Sequence, residues 1–503
     1  MLEVLLLLPV CMGMIMLFLP LKPKYLRGFL LLTSAGHIAL TTWLVYRLCN
    51  GHTPTAFNDL LKPDPLGALF LGLASVLFLA ASVYAIGYLQ EEHIKIHKDI
   101  QDKQIFTNAP EQRFTACMCF FLAAMTLVTL TPHLGLLWVG IELTTLSSAP
   151  LIYFHRHQRS LEATWKYLMI CSVGIALALL GNLLLNVAFL PIEIAEGESL
   201  DQLHQFLQLS QAVNSARIPW LKAGFIFLLV GYGTKMGLAP LHNWLPDAHS
   251  EAPSVVSALL SGALLNCAFL GILRGHQIMQ AAHLGSFSSN LLVFFGVFSM
   301  IIASIFIVGQ GHYKRLLAYS SVEHMGILAL GVGIGGLAIY GALFHAVLHS
   351  LTKCMLFLLA GNILTRYHTL SSHDVHGMHV TMPATAFLWV AGFLAIVGSP
   401  PFGLFVSEFS ILKGILDSSH AWIAALYLGA LTIIFIGMSI PVFHMVQGTR
   451  PRDIPTTEKE SCLSLISPAL LGLAVLIFGI YMPKWLKLFL DLGVKQIGGS
   501  HVF

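Results

Sequence analysis

Long apolar runs follow one another along nearly the whole chain, separated by short polar segments. A run needs about 20 apolar residues to cross the ~30 Å hydrocarbon core of a bilayer as a helix. On that basis the sequence predicts fourteen spans, near 2–20, 28–48, 66–89, 114–131, 133–153, 163–190, 219–238, 253–273, 289–309, 315–336, 337–362, 383–415, 421–446 and 462–482. The predicted fold class is therefore an all-α polytopic membrane protein.

Two of the predicted spans are interrupted by glycine and proline. Span 7 leads into the segment 231–240 (GYGTKMGLAP), and span 12, which is too long for one crossing, contains the segment 398–403 (GSPPFG). A broken helix leaves backbone carbonyls free, which is tolerated only inside protein or beside a wet cavity. The breaks are five spans apart, so five-helix units of spans 4–8 and 9–13 would run in opposite directions, as in many transporters with inverted repeats.

This repeat divides the chain into four parts. They are a three-helix N-terminal segment (1–113), a first half (114–275), a second half (276–446) and a C-terminal span with its tail (447–503). Internal similarity is faint: Glu142 and Glu323 occupy comparable places 181 residues apart, and Lys235 and Glu408 are 173 residues apart.

Basic residues are concentrated in alternate loops. The positive-inside rule then places both termini outside the cytoplasm, in agreement with an even number of spans. The opening MLEVLLLLP lacks the basic start and the cleavage site of a secretory signal, and is interpreted as the first span. The basic loop residues are Lys22, Lys24, Arg27, Lys95, Lys98, Lys103, Arg113, Arg156, Arg159, Lys314, Arg315, Arg366, Arg450, Arg452 and Lys459.

Composition agrees with a membrane protein. The chain is 56% hydrophobic and 10% charged, whereas soluble domains carry about 25% charged residues. The net charge of +3 is spread over many loops and does not indicate nucleic acid. The eight cysteines are scattered, mostly in apolar runs, and are interpreted as small buried hydrophobes. No phosphate-binding loop, clustered cysteine motif or nucleophile with a base is found, so we expect no cofactor, metal or catalytic centre in this chain.

Lys235 lies at membrane depth just before the first break, and Glu142 lies in the middle of span 5. Inserting a charge there costs roughly 2.5 to 3.5 kcal/mol. An ion pair between the two at ~4 Å would gain about 4 kcal/mol at an effective dielectric of ~20. We therefore expect this pair to be an ion or proton site; in the alternative, Glu142 is a neutral, hydrogen-bonded acid.

Span 11 carries three ionisable residues at four-residue spacing, His345, His349 and Lys353. This spacing puts them on one face of a helix. Histidine's ordinary pKa near 6.5 suits a proton relay, and a structural polar network is the alternative. Glu408 follows the second break and would match Lys235 in the repeat.

Four other positions have two interpretations each. Lys166, at the edge of span 6, is either a snorkelling anchor or a proton partner. Lys413 is either the partner of Glu408 or a helix-end anchor. Glu323 and His324 fall within the first turns of span 10, where capping and interface hydrogen bonds compete with a role in transport.

The segment after the first break is dense in metal-ligand types. It contains His242, Asp247, His249 and Glu251. We interpret it as a tight cytoplasmic connection with Trp244 at the headgroup level, rather than as a metal site.

These residues carry a recognisable pattern. The segment 240–249 (PLHNWLPDAH), together with Glu142, Lys166 and the segments 314–321 (KRLLAYSS), 349–353 (HSLTK) and 407–409 (SEF), resembles the antiporter-like membrane subunits of respiratory complex I, Mrp antiporters and group 4 hydrogenases. The resemblance covers nearly the whole chain. The segment 252–274 is most similar to the hydrogenase-4 component F type of this family.

The resemblance implies a proton half-channel in each repeat and a polar axis that links them. Many complex I relatives have a lysine where Asn266 stands here, so the stripe from His345 to Lys353 would carry the central connection. It also implies a bacterial or archaeal cytoplasmic (inner) membrane and partners of three kinds: other antiporter-like subunits, small membrane subunits and peripheral redox subunits. Iron–sulfur clusters and, in hydrogenases, nickel–iron would lie on those partners.

The expected function is that of a proton-translocating membrane-arm subunit in a complex I-like assembly of the membrane-bound hydrogenase or formate hydrogenlyase type. The alternatives are an Mrp-type sodium/proton antiporter subunit, an energy-coupling subunit for inorganic carbon uptake, and a membrane anchor with an inert polar axis.

Overall fold

Helices make up nearly all of the described structure and follow the predicted spans in order. The computed structural model describes residues 1–92, 97–98, 105–189, 203, 207, 217–449 and 460–498. The helices are α1 (Leu2–Phe18), α2 (Pro23–Cys49), α3 (Pro65–Glu92), α4 (Glu111–Leu130), α5 (Leu134–Ile152), α6 (Gln158–Phe189), α7 (Ile218–Met236), α8 (Trp244–Glu251), α9 (Ser254–Ala281), α10 (Gly285–Ile307), α11 (Tyr313–Ile334), α12 (Leu337–Tyr367), α13 (Met378–Thr381), α14 (Pro383–Ile396), α15 (Gly403–Asp417), α16 (Ile423–Val446), α17 (Cys462–Ile480) and α18 (Lys484–Gln496). Strands β1 (His97–Lys98) and β2 (Ile105–Phe106) pair antiparallel between α3 and α4.

The fourteen predicted spans each correspond to helix. Eleven of the described helices are long and apolar enough to cross a membrane. The other three spans are the short α1 and the two interrupted ones, α7–α8 and α14–α15. The polytopic all-α membrane fold is therefore confirmed. The basic loop residues Lys95, Lys103, Arg450, Arg452 and Lys459 lie outside the described residues.

Several helix ends differ from the hydropathy-based edges. Helix α6 begins at Gln158 rather than near 163, and α9 continues to Ala281 rather than 273. Polar first or last turns fall outside an apolar run but do not interrupt a helix, so hydropathy places these ends too far inside. Lys166 accordingly lies more than two turns into α6, not at its edge.

One helix lies beyond the fourteenth span. In α18 the side chains of Leu486, Phe489, Leu490 and Val494 are buried, whereas Trp485 is half-exposed. The buried positions recur at three- and four-residue spacing, as in an amphipathic helix. The helix is bonded to the bundle by Gln496, whose Oε1 accepts from the Leu66 amide at 3.3 Å. This pattern is readable in the sequence but is not part of the fourteen-span prediction.

Helices α9 and α12 are wholly enclosed by the other helices, and α11 is nearly so. Helix α9 contains one π turn, Leu260–Leu264. Such turns add a residue to a helix and occur frequently at functional sites. The predicted ionisable stripe of His345, His349 and Lys353 lies on α12, one of these enclosed helices.

Close backbone contact fixes α7 against α6. A methyl group built on Gly231 would lie 2.5 Å from the carbonyl oxygen of Gly174, so only glycine fits at this crossing. Lys235 follows one turn later on the same helix, and its position beside α6 depends on this contact.

A partly buried ion pair joins Asp64, at the start of α3, to Arg274 of α9. Arg274 is 3% exposed and donates to both carboxylate oxygens of Asp64, each at 2.6 Å. Asp64 also accepts from the Gly67 amide at 2.9 Å and so caps α3. Burial by itself would raise the pKa of Asp64, but the Arg274 charge and its hydrogen bonds outweigh burial and hold that pKa below its ordinary value of 3.8.

Asp64→Asn should destabilise the protein by about 3 kcal/mol, because it leaves the Arg274 charge buried without a counter-ion. The measurement is thermal unfolding in detergent, with the exposed Asp417→Asn as control. Since the folded-state pKa is lowered, the stabilisation is present above pH ~4 and is lost as pH falls through the lowered value. Equal unfolding midpoints for the wild type and Asp64→Asn at neutral pH would contradict this role.

Candidate functional site

Lys235 lies in the last turn of α7. Gly237 adopts a left-handed conformation (φ 86°) and ends the helix there. The lysine side chain is fully buried. The predicted placement of an amine inside the bundle, beside a helix break, is therefore what the structure shows.

The lysine amine is held by hydroxyl groups. Lys235 Nζ donates to Thr145 Oγ1 and to the Tyr167 hydroxyl, both at 2.7 Å. Thr145 in turn donates to Glu142 Oε2 at 3.3 Å. The expected direct ion pair between Lys235 and Glu142 is wrong, because the Thr145 hydroxyl stands between the ammonium and the carboxylate.

The hydroxyl groups around Lys235 were not singled out in the sequence. Thr145 and Ser148 follow Glu142 at three-residue spacing, which places all three on one face of α5. Ser148 lies 2.6 Å from the Tyr167 hydroxyl, and Ser172 donates to Glu142 Oε1 at 2.9 Å. The three-residue spacing of Glu142, Thr145 and Ser148 can be seen in the sequence. Thr145 and Ser148 are not ionisable, however, and so are not among the predicted site residues.

The segment after the first break is a buried helix, not a loop. Trp244 is fully buried, donates to the Thr234 carbonyl at 2.8 Å and packs on the Tyr167 ring at 5.0 Å. The placement of Trp244 at the headgroup level stays a prediction. Within the protein, its indole packs on Tyr167, one of the two hydroxyl partners of Lys235.

The four metal-ligand types of this segment do not converge. His242 packs near Tyr319, and Asp247 pairs with Lys166 and Arg315. His249 stacks on Phe357, and Glu251 lies 3.6 Å from His157. The four side chains therefore point to four different sets of neighbours.

Lys166 pairs with two carboxylates near the surface. Its amine is 2.7 Å from Glu162 and 3.2 Å from Asp247, and its side chain is 46% exposed. These contacts favour the anchoring interpretation, with the added role of holding α8 against α6.

The stripe of span 11 faces the interior. His345, His349 and Lys353 are all fully buried on α12. The Lys353 amine donates to the Leu317 carbonyl at 2.6 Å. Both ring nitrogens of His349 lack a hydrogen-bond partner among the described residues. The predicted common face is therefore present.

Glu323 and His324 belong to this cluster. Helix α11 begins at Tyr313, so both residues lie near its middle and not in its first turns, which corrects the sequence-based placement. His324 Nδ1 is 2.9 Å from His345 Nε2, and its ring centroid is 4.9 Å from that of His349. The carboxylate of Glu323 is buried, with Oε2 unpaired.

Glu408 lies at the second break. A methyl group on Gly398, which has a φ of 65°, would collide with Glu408 Oε2, so the carboxylate rests directly on the broken backbone. His345 Nδ1 is 2.9 Å from Ser407 Oγ, the neighbour of Glu408. The stripe of α12 thus reaches the break between α14 and α15.

His324, His345 and Glu408 are also the described residues that could hold a metal ion. One ligand atom from each lies within 4.8 Å of the others. A metal would have to replace the hydrogen bond between the two histidines. That bond is the simpler use of these residues.

Asn266 connects α9 to α12. Its Nδ2 donates to the Ser350 hydroxyl at 2.7 Å and to the Gly262 carbonyl, within the π turn, at 2.9 Å. Its Oδ1 has no hydrogen-bond partner among the described residues. The asparagine therefore takes a central place between the Lys235 region and the stripe.

Two lysines differ from what their sequence positions suggested. Lys413 is exposed and forms no ion pair with the buried Glu408, which favours its interpretation as an anchor. Lys314, counted as a loop charge, is 1% exposed and donates to the Ala252 carbonyl at 3.0 Å. The position of Lys314 next to a loop in the sequence gives no sign that its side chain turns into the protein.

Comparisons with known proteins agree with this arrangement. Residues 131–435 match the family model described as NADH:quinone oxidoreductase/Mrp antiporter, TM. The chain is 34% identical over 462 residues to a hydrogenase-4 component F homolog of Methylacidiphilum infernorum, covering 91% of this chain and 94% of that one. It is 30% identical to hydrogenase-4 component B of Escherichia coli, covering 84% of this chain and 62% of that one.

A solved structure shares the fold. A chain of the membrane-bound sulfane sulfur reductase, an archaeal respiratory membrane complex, superposes with a TM-score of 0.84 over 99% of this chain and 98% of that chain. The sequence identity is 19%, so this likeness is one of fold alone.

Tyr167→Phe should destabilise the protein by about 1.5 to 3 kcal/mol, the usual contribution of a hydrogen bond to a charged group. The change removes one of the two hydroxyl acceptors of the buried Lys235 amine and keeps the ring. Thermal unfolding in detergent measures it, with the exposed Tyr46→Phe as the matched control. A loss no greater than that of the control would show that the hydroxyl does not hold a charged amine.

Proposed function

This chain belongs to the NADH:quinone oxidoreductase/Mrp antiporter transmembrane family, and on that premise we propose that it moves protons in the membrane arm of a complex I-like assembly. The resemblance read from the sequence is thereby confirmed, as is a multi-pass membrane protein. The protons would move along buried polar residues, with 114–275 and 276–446 as the two halves of the path.

One observation carries the proposal. A lysine amine is fully buried at a helix break and is linked to a carboxylate through a single hydroxyl, Thr145. An ionisable residue inside a membrane bundle is costly and by default marks an ion or proton path. The hydroxyl link keeps the amine close to Glu142 without locking the two charges together.

The rest of the path would run through the most enclosed helices. From Lys235 a proton would pass α9 at Asn266, reach α12 at Ser350 and its ionisable stripe, and leave by His324, His345 and Glu408. The unpaired polar atoms of His349, Glu323 and Glu408 support this route, because buried polar groups are nearly always hydrogen-bonded and such atoms take ordered water.

A charge displacement in a partner would drive the step. Drawing Glu142 away from Thr145 would remove the negative charge that stabilises the ammonium, and Lys235 would release its proton towards Asn266. Moving one charge against ~150 mV costs about 3.5 kcal/mol. Across the Thr145 hydroxyl the two charges are up to ~6 Å apart, where their attraction is about 3 kcal/mol at an effective dielectric of ~20, close to that cost.

The source of that displacement would be redox chemistry on other subunits. The similarity to hydrogenase-4 components over most of the chain supports an assembly of the membrane-bound hydrogenase or formate hydrogenlyase type. Iron–sulfur and nickel–iron centres would then lie on partners, alongside other antiporter-like and small membrane subunits. The basic loops support a location in the cytoplasmic membrane with both termini outside.

A sodium/proton antiporter subunit is the second candidate, because the matching family model also covers Mrp antiporters. Two measurements separate the candidates. Mass spectrometry of subunits that co-purify with this chain would detect a nickel–iron hydrogenase large subunit in the first case. Sodium-dependent proton flux in reconstituted vesicles would support the second.

Lys235→Met should abolish proton translocation and leave assembly intact, since methionine fills the volume without an ionisable group. The assay uses the complex isolated through a tag on this chain, in proteoliposomes with a potassium diffusion potential and an internal pH dye. The exposed Lys24→Met is the control. Proton flux at the wild-type rate in Lys235→Met would refute the proposed function.

Asn266→Leu tests the connection between the halves. Leucine keeps the size but removes the amide that bonds to Ser350, so we expect proton flux to fall at least tenfold in the same vesicles. Asn50→Leu, exposed at the end of α2, is the control. Unchanged flux would mean that protons pass α9 elsewhere.

A further inference from the structure

A cavity of about 540 Å³ lies between four helix ends, outside the proton path described above. Its wall is formed by the last turns of α3 and α12 and by the starts of α14 and α17. Its volume falls within the roughly 300 to 1,000 Å³ of small-molecule sites. With both termini outside, these four ends face the cytoplasm, so the cavity lies at the headgroup level of the inner leaflet.

The inner end of the cavity is polar and rigidly held. Tyr84 and Asn362 are 3% and 8% exposed. The Tyr84 hydroxyl donates to Asn362 Oδ1 at 2.8 Å, and Asn362 Nδ2 donates to the Ser464 carbonyl at 3.2 Å. These bonds join α3, α12 and α17 around the cavity. The occupant that fits such a surface is polar where it enters.

The wall carries charges of both signs. Arg366 contributes a guanidinium, and Glu91 and Glu460 contribute carboxylates. Glu460 is already engaged, because it accepts from the amides of Ala384 and Thr385 at the start of α14, each at 2.9 Å. Glu91 is exposed at the rim and forms no ion pair or hydrogen bond with other described residues. One guanidinium and one available carboxylate in the same cavity match a zwitterion.

The α3 wall is suited to the positive end of that zwitterion. The rings of Tyr84 and Tyr88 stack at 6.4 Å, and Glu91 follows Tyr88 by three residues, on the same face of the helix. Aromatic faces attract ammonium groups, and a carboxylate beside them adds an ion pair. Arg366, on the α12 wall, has the planar donors that recognise a phosphate.

Apolar surface adjoins the cavity on its membrane side. Phe387, two residues after Thr385 on α14, is 74% exposed. On α17, Leu463 and Ile466 are exposed on either side of Ser464. In a chain that lies in a bilayer, such side chains contact acyl chains. An occupant with two apolar tails would cover this surface, whereas a soluble molecule would not.

We propose that this cavity binds a phospholipid of the inner leaflet whose headgroup is phosphoethanolamine. The phosphate would lie at Arg366, the ammonium at Glu91 and Tyr88, and the acyl chains along α14 and α17. The lipid would thereby join α17 to α3 and α12. This inference does not depend on the proton path, since it needs only that the chain lies in a membrane.

The test measures the lipid retained by the complex isolated through a tag on this chain. The complex is washed in detergent containing equal amounts of dioleoyl phosphatidylethanolamine and dioleoyl phosphatidylglycerol, and retained lipid is counted by mass spectrometry. We expect at least fivefold more of the ethanolamine lipid than of the glycerol lipid. Glycerophosphoethanolamine, the same headgroup without acyl chains, should not displace it at equal concentration.

Two variants locate the site. Glu91→Gln removes the partner of the ammonium and keeps the size of the side chain, with the exposed Glu3→Gln as control. Ser461→Trp fills the mouth, and its serine side chain makes no capping hydrogen bond at the start of α17. The exposed Ser419→Trp is its control. Both test variants should lower retention of the ethanolamine lipid at least fivefold relative to their controls.

Each outcome decides the inference. Selective retention that is lost in both test variants supports it. Equal retention of the two lipids by the wild type overturns the zwitterionic headgroup, and displacement by glycerophosphoethanolamine overturns the lipid. Retention at the control level in either assembled test variant overturns the cavity as the site. If Ser461→Trp does not assemble, Glu91→Gln decides alone.

Discussion

The structure depends on how charge is accommodated where there is little water. Buried lysine, histidine and glutamate side chains lie on α7, α11 and α12; of these helices, α12 is wholly and α11 nearly enclosed by protein. Lys235 is stabilised by two hydroxyls and Lys353 by a backbone carbonyl. Neither amine forms a direct ion pair among the described residues. Neutral acceptors stabilise an ammonium without trapping it beside a fixed carboxylate, so a modest change nearby is enough to shift its proton.

The side chains around Lys235 differ in chemical type from those around Glu408. Around Lys235 the neighbours are hydroxyls of threonine, tyrosine and serine. Around Glu408 they are two histidines, His324 and His345, and the Ser407 hydroxyl bonds to His345. A hydroxyl donates and accepts hydrogen bonds without changing charge, whereas a neutral imidazole has a ring nitrogen that can bind a proton. In the proposed path, the hydroxyl cluster around Lys235 would respond to the charge on Glu142, and the histidine cluster beside Glu408 would pass protons on.

Hydropathy and spacing predicted much of this from the sequence. The apolar runs placed every span, since crossing a bilayer demands length and low charge. The four-residue spacing of His345, His349 and Lys353 placed them on one buried face. The contacts between side chains of different helices could not be predicted from the sequence. The Thr145 hydroxyl separates Lys235 from Glu142 because of how α5 and α7 are rotated, and Lys314 turns inward because Ala252 offers a carbonyl there. Neither fact follows from the local sequence.

The π turn in α9 determines how the residues that follow it in this helix are rotated about the helix axis. Each residue advances an α-helix by about 100°, so one extra residue in Leu260–Leu264 turns the following part of the helix by that angle. Asn266 meets Ser350 and Arg274 meets Asp64 only in this phase. A one-residue deletion within the turn would uncouple the central asparagine and the distant ion pair together, although 210 residues separate the members of that pair along the chain. The π turn thus fixes the rotation of the rest of α9, and two distant contacts, those of Asn266 and Arg274, both depend on that rotation.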